Sequence, residues 1–306
     1  MIFQEVIPNK QMALRGWSDT TPTRVIKTPT PEGVVEFCTC EFFCTYTEDV
    51  FADLNNPSDE YKNDFKSILL NPKDASSTFN IILSKGSTDY ELNDNTYGVY
   101  YTQGFNTSQP LQVGYRINWL DVANELGFGE YKIKLTQTDF GEEISLESQV
   151  YNLSPYDEMR ANYTTRVEWN QKGKILNGKD YTGLLWSDMV RVKGRFGNIE
   201  PQYEINKLQD SNYKDVNIQV EHFKQYTLET QLIPFSVGSL FTDDIALTDE
   251  IFISGYDVFG YDQYRQLPVT FEGTISTSED YARNNMKVFN IVFKDKNSKL
   301  KRNFNK

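Results

Sequence analysis

Along most of the chain apolar and polar positions alternate with a period of two, the pattern of strands with one covered face and one wet face. Cys38, Cys40, Phe42, Cys44 and Tyr46 share one parity, while Thr39, Glu41 and Thr45 take the other. Phe37 and Phe43 interrupt the polar side, so both faces there are expected to be covered. Strands are expected at 79–83 and 97–102, with Asn93, Asp94 and Asn95 turning the chain between them. Tyr131, Ile133 and Leu135 alternate with Lys132, Lys134 and Thr136, and Ile144, Leu146 and Val150 alternate with Ser145, Glu147 and Gln149, which predicts a hairpin joined across 139–142. Later, Val167 and Trp169 face away from Arg166 and Glu168, with a turn at Lys172 and Gly173, and Val216, Ile218, Val220 and His222 share a parity. Further strands are expected at 226–232, 250–253 and 288–293, the last with Phe289, Ile291 and Phe293 on one face.

Two short helices interrupt this pattern in the first half. Ser58 stands as N-cap, Asp59 and Glu60 occupy the first turn, and Tyr61, Phe65, Ile68 and Leu69 follow at helical spacing up to Asn71 and Pro72. A second helix is expected over 119–126, with Asn118 as cap and Gly127 where a helix end favours positive φ. The alternation lapses at Ser154, Pro155, Tyr156, Asp157 and Glu158, the best place for a seam. The expected architecture is therefore mainly β, with β-sandwich-type domains at 1–155, carrying the short helices, and 156–306. No period of 20 to 50 residues repeats, which argues against solenoids and propellers.

Composition narrows the classes. Aromatic residues make up 14% of the 306, with 19 Tyr and 20 Phe, enough to fill cores and too rich for a disordered chain. No apolar run is long enough to span a bilayer, and the opening residues lack the basic and apolar regions of a signal peptide, so neither a membrane anchor nor secretion by that route is expected. Cys38, Cys40 and Cys44 are odd in number and crowded together, which favours folding in a reducing cytosol over a disulfide framework. The net charge is −12, from 31 basic and 43 acidic residues. Such a surface repels phosphate backbones, so sequence-specific nucleic-acid binding is disfavoured. Residues 294–306 run against that sign, with Lys294, Lys296, Lys299, Lys301, Arg302 and Lys306 opposed by Asp295, giving +5 and leaving −17 on the rest.

Candidate chemistry is sparse. His222 is the single histidine, so any triad or histidine-bearing metal site would run through it, and its parity with three apolar residues reads as a half-buried structural histidine. The three cysteines lack knuckle spacing and a fourth ligand, and read as buried small hydrophobes. Asp243, Asp244, Asp249 and Glu250 offer oxygen ligands without a calcium-loop signature. Gly127 and Gly129 lack the third glycine of a dinucleotide fingerprint, and no phosphate loop occurs. No residue is assigned a catalytic, cofactor-binding or metal-binding role. Tyr256, Tyr261 and Tyr264, in a glycine-punctuated run, are the aromatics expected to be exposed and available to a partner.

The runs 166–170, 191–198, 226–230 and 249–254, containing Arg166, Trp169, Arg191, Gly194, Phe196, Gly197, Glu229, Phe252 and Ser254, together with the ending at 293–295 and 301–304, resemble structural virion proteins of tailed phages and prophages of Bacteroides and relatives, including the crAss-like phages. The resemblance covers the C-terminal half and rests on structural residues, so it carries no active site. It implies a ring or adaptor subunit of the neck or of the tail barrel below the portal, localised in the virion, assembled in the host cytoplasm, and present in multiple copies, with a dodecamer as the implied number. It further implies neighbouring neck and tail proteins as partners and DNA passing through without sequence-specific contact. An acidic wall suits such a conduit, because passing phosphates form no ion pairs with it. Two expectations stand for the basic ending: docking on the acidic surface of a neighbouring copy, or a loose tail in solvent. The alternative is a phage-associated carbohydrate- or receptor-binding module with aromatic platforms, and a third class, a hydrolase, would need two acids in a cleft.

Overall fold

The computed structural model describes residues 24–303, apart from 31–32, 40–46, 71–77, 93–94, 104–111, 140–141, 172–174, 177–178, 181–185, 210, 212, 257–262, 278–285 and 297–299. The chain is mainly β, with several sheets and few short helices. In chain order the first strands are β1 (Arg24–Thr30), β2 (Gly33–Thr39), β3 (Thr47–Ala52), β4 (Phe65–Leu70), β5 (Thr78–Lys85), β6 (Thr88–Glu91), β7 (Gly98–Gln103), β8 (Gln112–Asn118), β9 (Gly129–Asp139), β10 (Glu142–Glu147) and β11 (Val150–Pro155). Then come β12 (Thr164–Gln171), β13 (Ile175–Leu176), β14 (Lys179–Asp180), β15 (Trp186–Gln209), β16 (Asp215–Thr230), β17 (Ile233–Pro234), β18 (Glu250–Tyr256), β19 (Gln263–Thr277), β20 (Met286–Lys287), β21 (Phe289–Asp295) and β22 (Leu300–Asn303). The helices are α1 (Trp119–Leu126), α2 (Glu158–Ala161) and α3 (Phe235–Asp243).

In the first half, a six-stranded sheet ordered β3-β11-β9-β5-β6, with β10 on β9, faces a three-stranded sheet ordered β4-β8-β7. Only β3 and β11 run parallel in this pair of sheets. One cluster fills the space between them: Val50, Ile81, Leu83, Tyr131, Ile133 and Leu153 from the larger sheet, Ile68, Tyr115 and Ile117 from the smaller, and Trp119, Val122 and Ala123 from α1. α1 matches its expected span, and Gly127 follows it at the expected positive φ, 78, with its N–H on Ala123. Asn118 makes no capping bond through its side chain, which donates to Asp121 instead (2.9 Å).

The helix expected from Ser58 does not form. Residues 54–62 are turns, pinned by Asn63, whose Nδ2 donates to the carbonyls of Asn56, Pro57 and Asp59 (3.2, 3.3 and 3.0 Å), and the stretch from Phe65 is strand β4. Of the residues at helical spacing, Tyr61 is buried from a turn, whereas Phe65 and Ile68, three apart, are buried on two sides of one strand. Ile68 enters the first-half core, whereas Lys66 and Ser67 are buried against the second half, at 4% and 3% exposure. Tertiary pairing overrides a local helical pattern in this way.

In the second half the strands run β15-β12-β18-β19-β21-β16, and a further pairing of β16 with β15 closes these six antiparallel strands into a ring. Closure removes the free edges within the ring. Val167, Trp169, Val190, Val192, Phe196, Tyr226, Leu228, Ile251, Ile253, Val269, Ile291 and Phe293 form its core, together with Val237, Leu240 and Phe241 of α3. The expected stripe of Phe289, Ile291 and Phe293 is buried as one face of β21. Gly273, at φ +80, sits in the β19 register shift between Phe271 and Ile275, a bulge that bends the strand around the ring. α3 was not foreseen.

At residues 152–162, Asp157 caps α2 by accepting from the N–H groups of Met159 and Arg160 (2.7 and 3.2 Å). Tyr156 packs edge-on against Phe51 and Tyr61, with ring centroids 6.0 and 5.9 Å apart.

Candidate functional site

Two features outside the cores hold the densest chemistry. The first is a buried polar junction where β3 and β4 meet β12 and β15. Asp64, fully buried, accepts four hydrogen bonds: on Oδ1 from Arg166 Nε (3.1 Å) and Arg191 Nη2 (2.8 Å), on Oδ2 from Arg191 Nε (2.8 Å) and the Phe51 N–H (2.9 Å). Lys66 and Asp188 form a second ion pair at 2.7 Å, and Asp188 also accepts from the Ser67 N–H (3.0 Å). Glu48 accepts from the Arg191 N–H (2.9 Å) and Gln149 Nε2 (2.8 Å). Burial pushes the Glu48 carboxyl up to about 7, against the pull of the Lys66 ammonium and of the two donors. For Arg191, burial works against the charge, but Asp64 outweighs it and holds the guanidinium above its ordinary value.

A polar cleft of about 220 Å³ opens beside this junction, lined among others by Glu60, Asp64, Arg116, Asp121, Arg166 and Glu168. The Arg116 guanidinium lies 3.7 Å from the centre of the Phe65 ring. Three of the cleft's acids are engaged: all four lone-pair directions of Asp64 are taken, Glu168 accepts from Arg166 Nη1 (2.8 Å), and Asp121 accepts from Asn118, while Glu60 stands exposed at the rim. A carboxylate held by four donors has no lone pair left for a substrate. The arrangement fastens the two halves together. Among the described residues, no group of three or more His, Cys, Asp and Glu is placed to hold a metal ion.

The second feature is an arm. β15 and β16 leave the ring at a register shift between Gly197 and Glu200 and continue as a hairpin to the pair Gln209 and Asp215. On the other side of β16, β21 ends its pairing at Gln225, and β22 takes over from His222 to Gln219, so the C-terminal segment adds a third strand to the arm. Directly opposed residues of antiparallel strands share a face. Tyr203 lies across from His222, with ring centres 5.0 Å apart, and Ile205 lies across from Val220. Tyr203 and Ile205 are 60% and 47% exposed, and Tyr213 near the tip, in the left-handed region at φ 64, is 85% exposed.

The residues singled out from sequence divide between these places. Lys294 lies within β21, where it pairs with Glu272 (3.4 Å) and stands 3.5 Å over the Phe223 ring, so it is part of the ring wall. Lys296 is exposed and donates its N–H to Pro268. Lys301 and Arg302 lie in β22, at register with Glu221 and Val220 of the same chain. Lys294, Lys301 and Arg302 are thus set in paired strands of their own sheet rather than in a loose tail; Lys299 and Lys306 lie outside the described residues. Tyr256 and Tyr264 end paired strands β18 and β19, in place of the expected loop, and Tyr261 lies outside the described residues. Cys40, Cys44 and the turn at Lys172 and Gly173 also lie outside them. His222 is half-buried, as its parity suggested.

Sequence reasoning missed the junction and the arm. Arg166 had been placed correctly on the face opposite Trp169, but that face is covered by the first half, and Arg166 is 1% exposed. The arm did leave a signal, since Tyr203 and Ile205 alternate with Gln202, Glu204 and Asn206. No family model matches the chain. No curated protein matches it either.

Proposed function

We propose that this chain is a structural subunit of a phage neck or tail, a ring or adaptor protein that acts by contacts with copies of itself and with neighbouring virion proteins and forms part of the DNA conduit. The observation that carries the reading is the arm: a three-stranded extension of a closed ring, with tyrosine and isoleucine side chains open to solvent on one face. A strand pattern with an apolar face and no covering layer marks a surface made to be covered. The junction supports the same reading, because two halves joined by buried, paired charges behave as one stiff part, which a subunit under mechanical load needs. The resemblance of the C-terminal half to virion proteins supplies the setting.

The test is the native mass of the purified chain by light scattering over a range of concentrations, with imaging of the particles. Rings or defined oligomers are expected. A chain that stays monomeric, and instead binds polysaccharide through exposed tyrosines such as Tyr203 and Tyr213, would favour the carbohydrate- or receptor-binding alternative.

A further inference from the structure

The outer edge of β4 lies against β15, and side chains of β15 stand in for a paired strand. The Phe65 N–H donates to Met189 Sδ (3.4 Å), and the Ser67 N–H donates to Asp188 Oδ1 (3.0 Å), which also accepts the Met189 N–H (2.9 Å). Lys66, between these two donors on β4, brings its ammonium to Asp188 Oδ2 at 2.7 Å, from 122 positions away in sequence. Both side chains are 5% exposed. Among the described residues the ammonium makes no second hydrogen bond, and the centre of the Trp169 ring lies 5.9 Å from it. An ammonium has three N–H donors, so one bond satisfies it poorly, and both charges of an ion pair are costly where water is excluded. An amine and a carboxyl are thus in enforced contact, with charges that both would lose by joining.

The geometry points to a covalent modification: within the folded chain Lys66 and Asp188 condense into an amide that links β4 of the first half to β15 of the second, with release of one water. First, one proton passes from the ammonium to Asp188 Oδ2 along their hydrogen bond, which removes both charges of the pair. The amine lone pair then forms the bond to Cγ, and the C=O electron pair moves to Oδ1. The Ser67 and Met189 N–H groups already point at that oxygen, so negative charge developing there is met by fixed donors. The nitrogen gives up a second proton to Oδ2, Oδ1 restores its double bond, and Oδ2 departs as water with the electrons of the Cγ–Oδ2 bond. Glu48, buried in electrostatic reach of both partners and raised to about 7, is suited to accept and return that proton near neutrality. A carboxyl carbon one bond behind a hydrogen-bonded oxygen lies about 3–3.5 Å from the donor nitrogen, the separation of a near-attack pair, and pairs fixed in that way react with effective molarities of ~10⁵–10⁸ M. A surface pair such as Lys207 and Asp215, at 3.6 Å with both side chains half exposed, lacks this enclosure. The inference stands apart from the assembly reading, which neither requires it nor fails with it.

The mass of the purified full chain under denaturing conditions, followed by peptide mapping, tests it. Wild type is expected one water lighter than its sequence, and a protease digest is expected to yield a branched peptide joining the segment that holds Lys66 to the one that holds Asp188. Lys66→Arg keeps the positive charge without the amine, and Asp188→Ala lacks the carboxyl. Each is expected to have the full mass of its own sequence and no branched peptide. Far-UV circular dichroism establishes that the wild-type sample is folded, and the branched peptide decides even where a variant fails to fold, because it is read on wild type alone. Folded wild type of full sequence mass would overturn the amide. So would a missing water that persists in Lys66→Arg, with no branched peptide from wild type.

Discussion

Asp64 carries two buried arginines, and its removal defines the cost of the junction. With Asp64→Asn the guanidiniums of Arg166 and Arg191 lose their counter-charge in a place water does not reach, so a loss of ~3–5 kcal/mol is expected, read by denaturant unfolding. Glu48 has the opposite character. Its folded pKa, about 7, stands above the ordinary 4.5, so between those values the folded state holds a proton that the unfolded state has released. Stability contributed by Glu48 is therefore full below pH 4.5 and falls as pH rises through 7, by about 3 kcal/mol at ~1.4 kcal/mol per unit. Glu48→Gln removes this slope: the difference in unfolding free energy between wild type and variant should shift in the variant's favour from pH 5 to pH 8, and a constant difference would refute the assignment. Gln149 has an Oε1 without a hydrogen bond, so a reversed amide can accept from a protonated Glu48 or from the introduced Gln. None of this could be read from sequence, where Glu48, Asp64, Lys66, Asp188 and Arg191 are five charges among many. A charge is assigned to solvent until the element that covers it is known, and the covering residues lie more than 100 positions away, as Asp64 and Arg166 do.

At the scale of elements, strands with one covered face were legible and doubly covered ones were not. β21 and the first residues of β9 follow their alternation, β9 and β10 pair as the expected hairpin, and α1 follows its spacing between Asn118 and Gly127. β4 was misread because Phe65, Lys66, Ser67 and Ile68 are all buried, which erases the period of two. α3 has an apolar sequence with neither acids in its first turn nor basic residues in its last, so no end signals announce it. Its packing makes a sharp prediction. A Cβ on Gly238 would collide with the ring of Phe289, itself 1% exposed, and the closed strands around it limit any retreat. Gly238→Ala is expected to cost at least ~1–3 kcal/mol, a Tm lowered by several degrees, with Phe289→Leu in the same chain restoring part of the loss.

For the whole molecule, two apolar clusters, one between the facing sheets and one inside the ring, are tied by the Asp64, Lys66 and Glu48 contacts, and the arm extends the ring beyond both. The acidic excess and the basic ending were visible in the sequence. Their arrangement was not, since it depends on β22 folding back along β16. Backbone amide exchange, compared between dilute and concentrated protein, tests the assembly role of the arm most directly. The account predicts that concentration slows exchange within 203–209 and 300–303 while the ring strands keep their rates. Equal exchange of those two segments at both concentrations, in protein whose mass has grown, would place the contact elsewhere and contradict it.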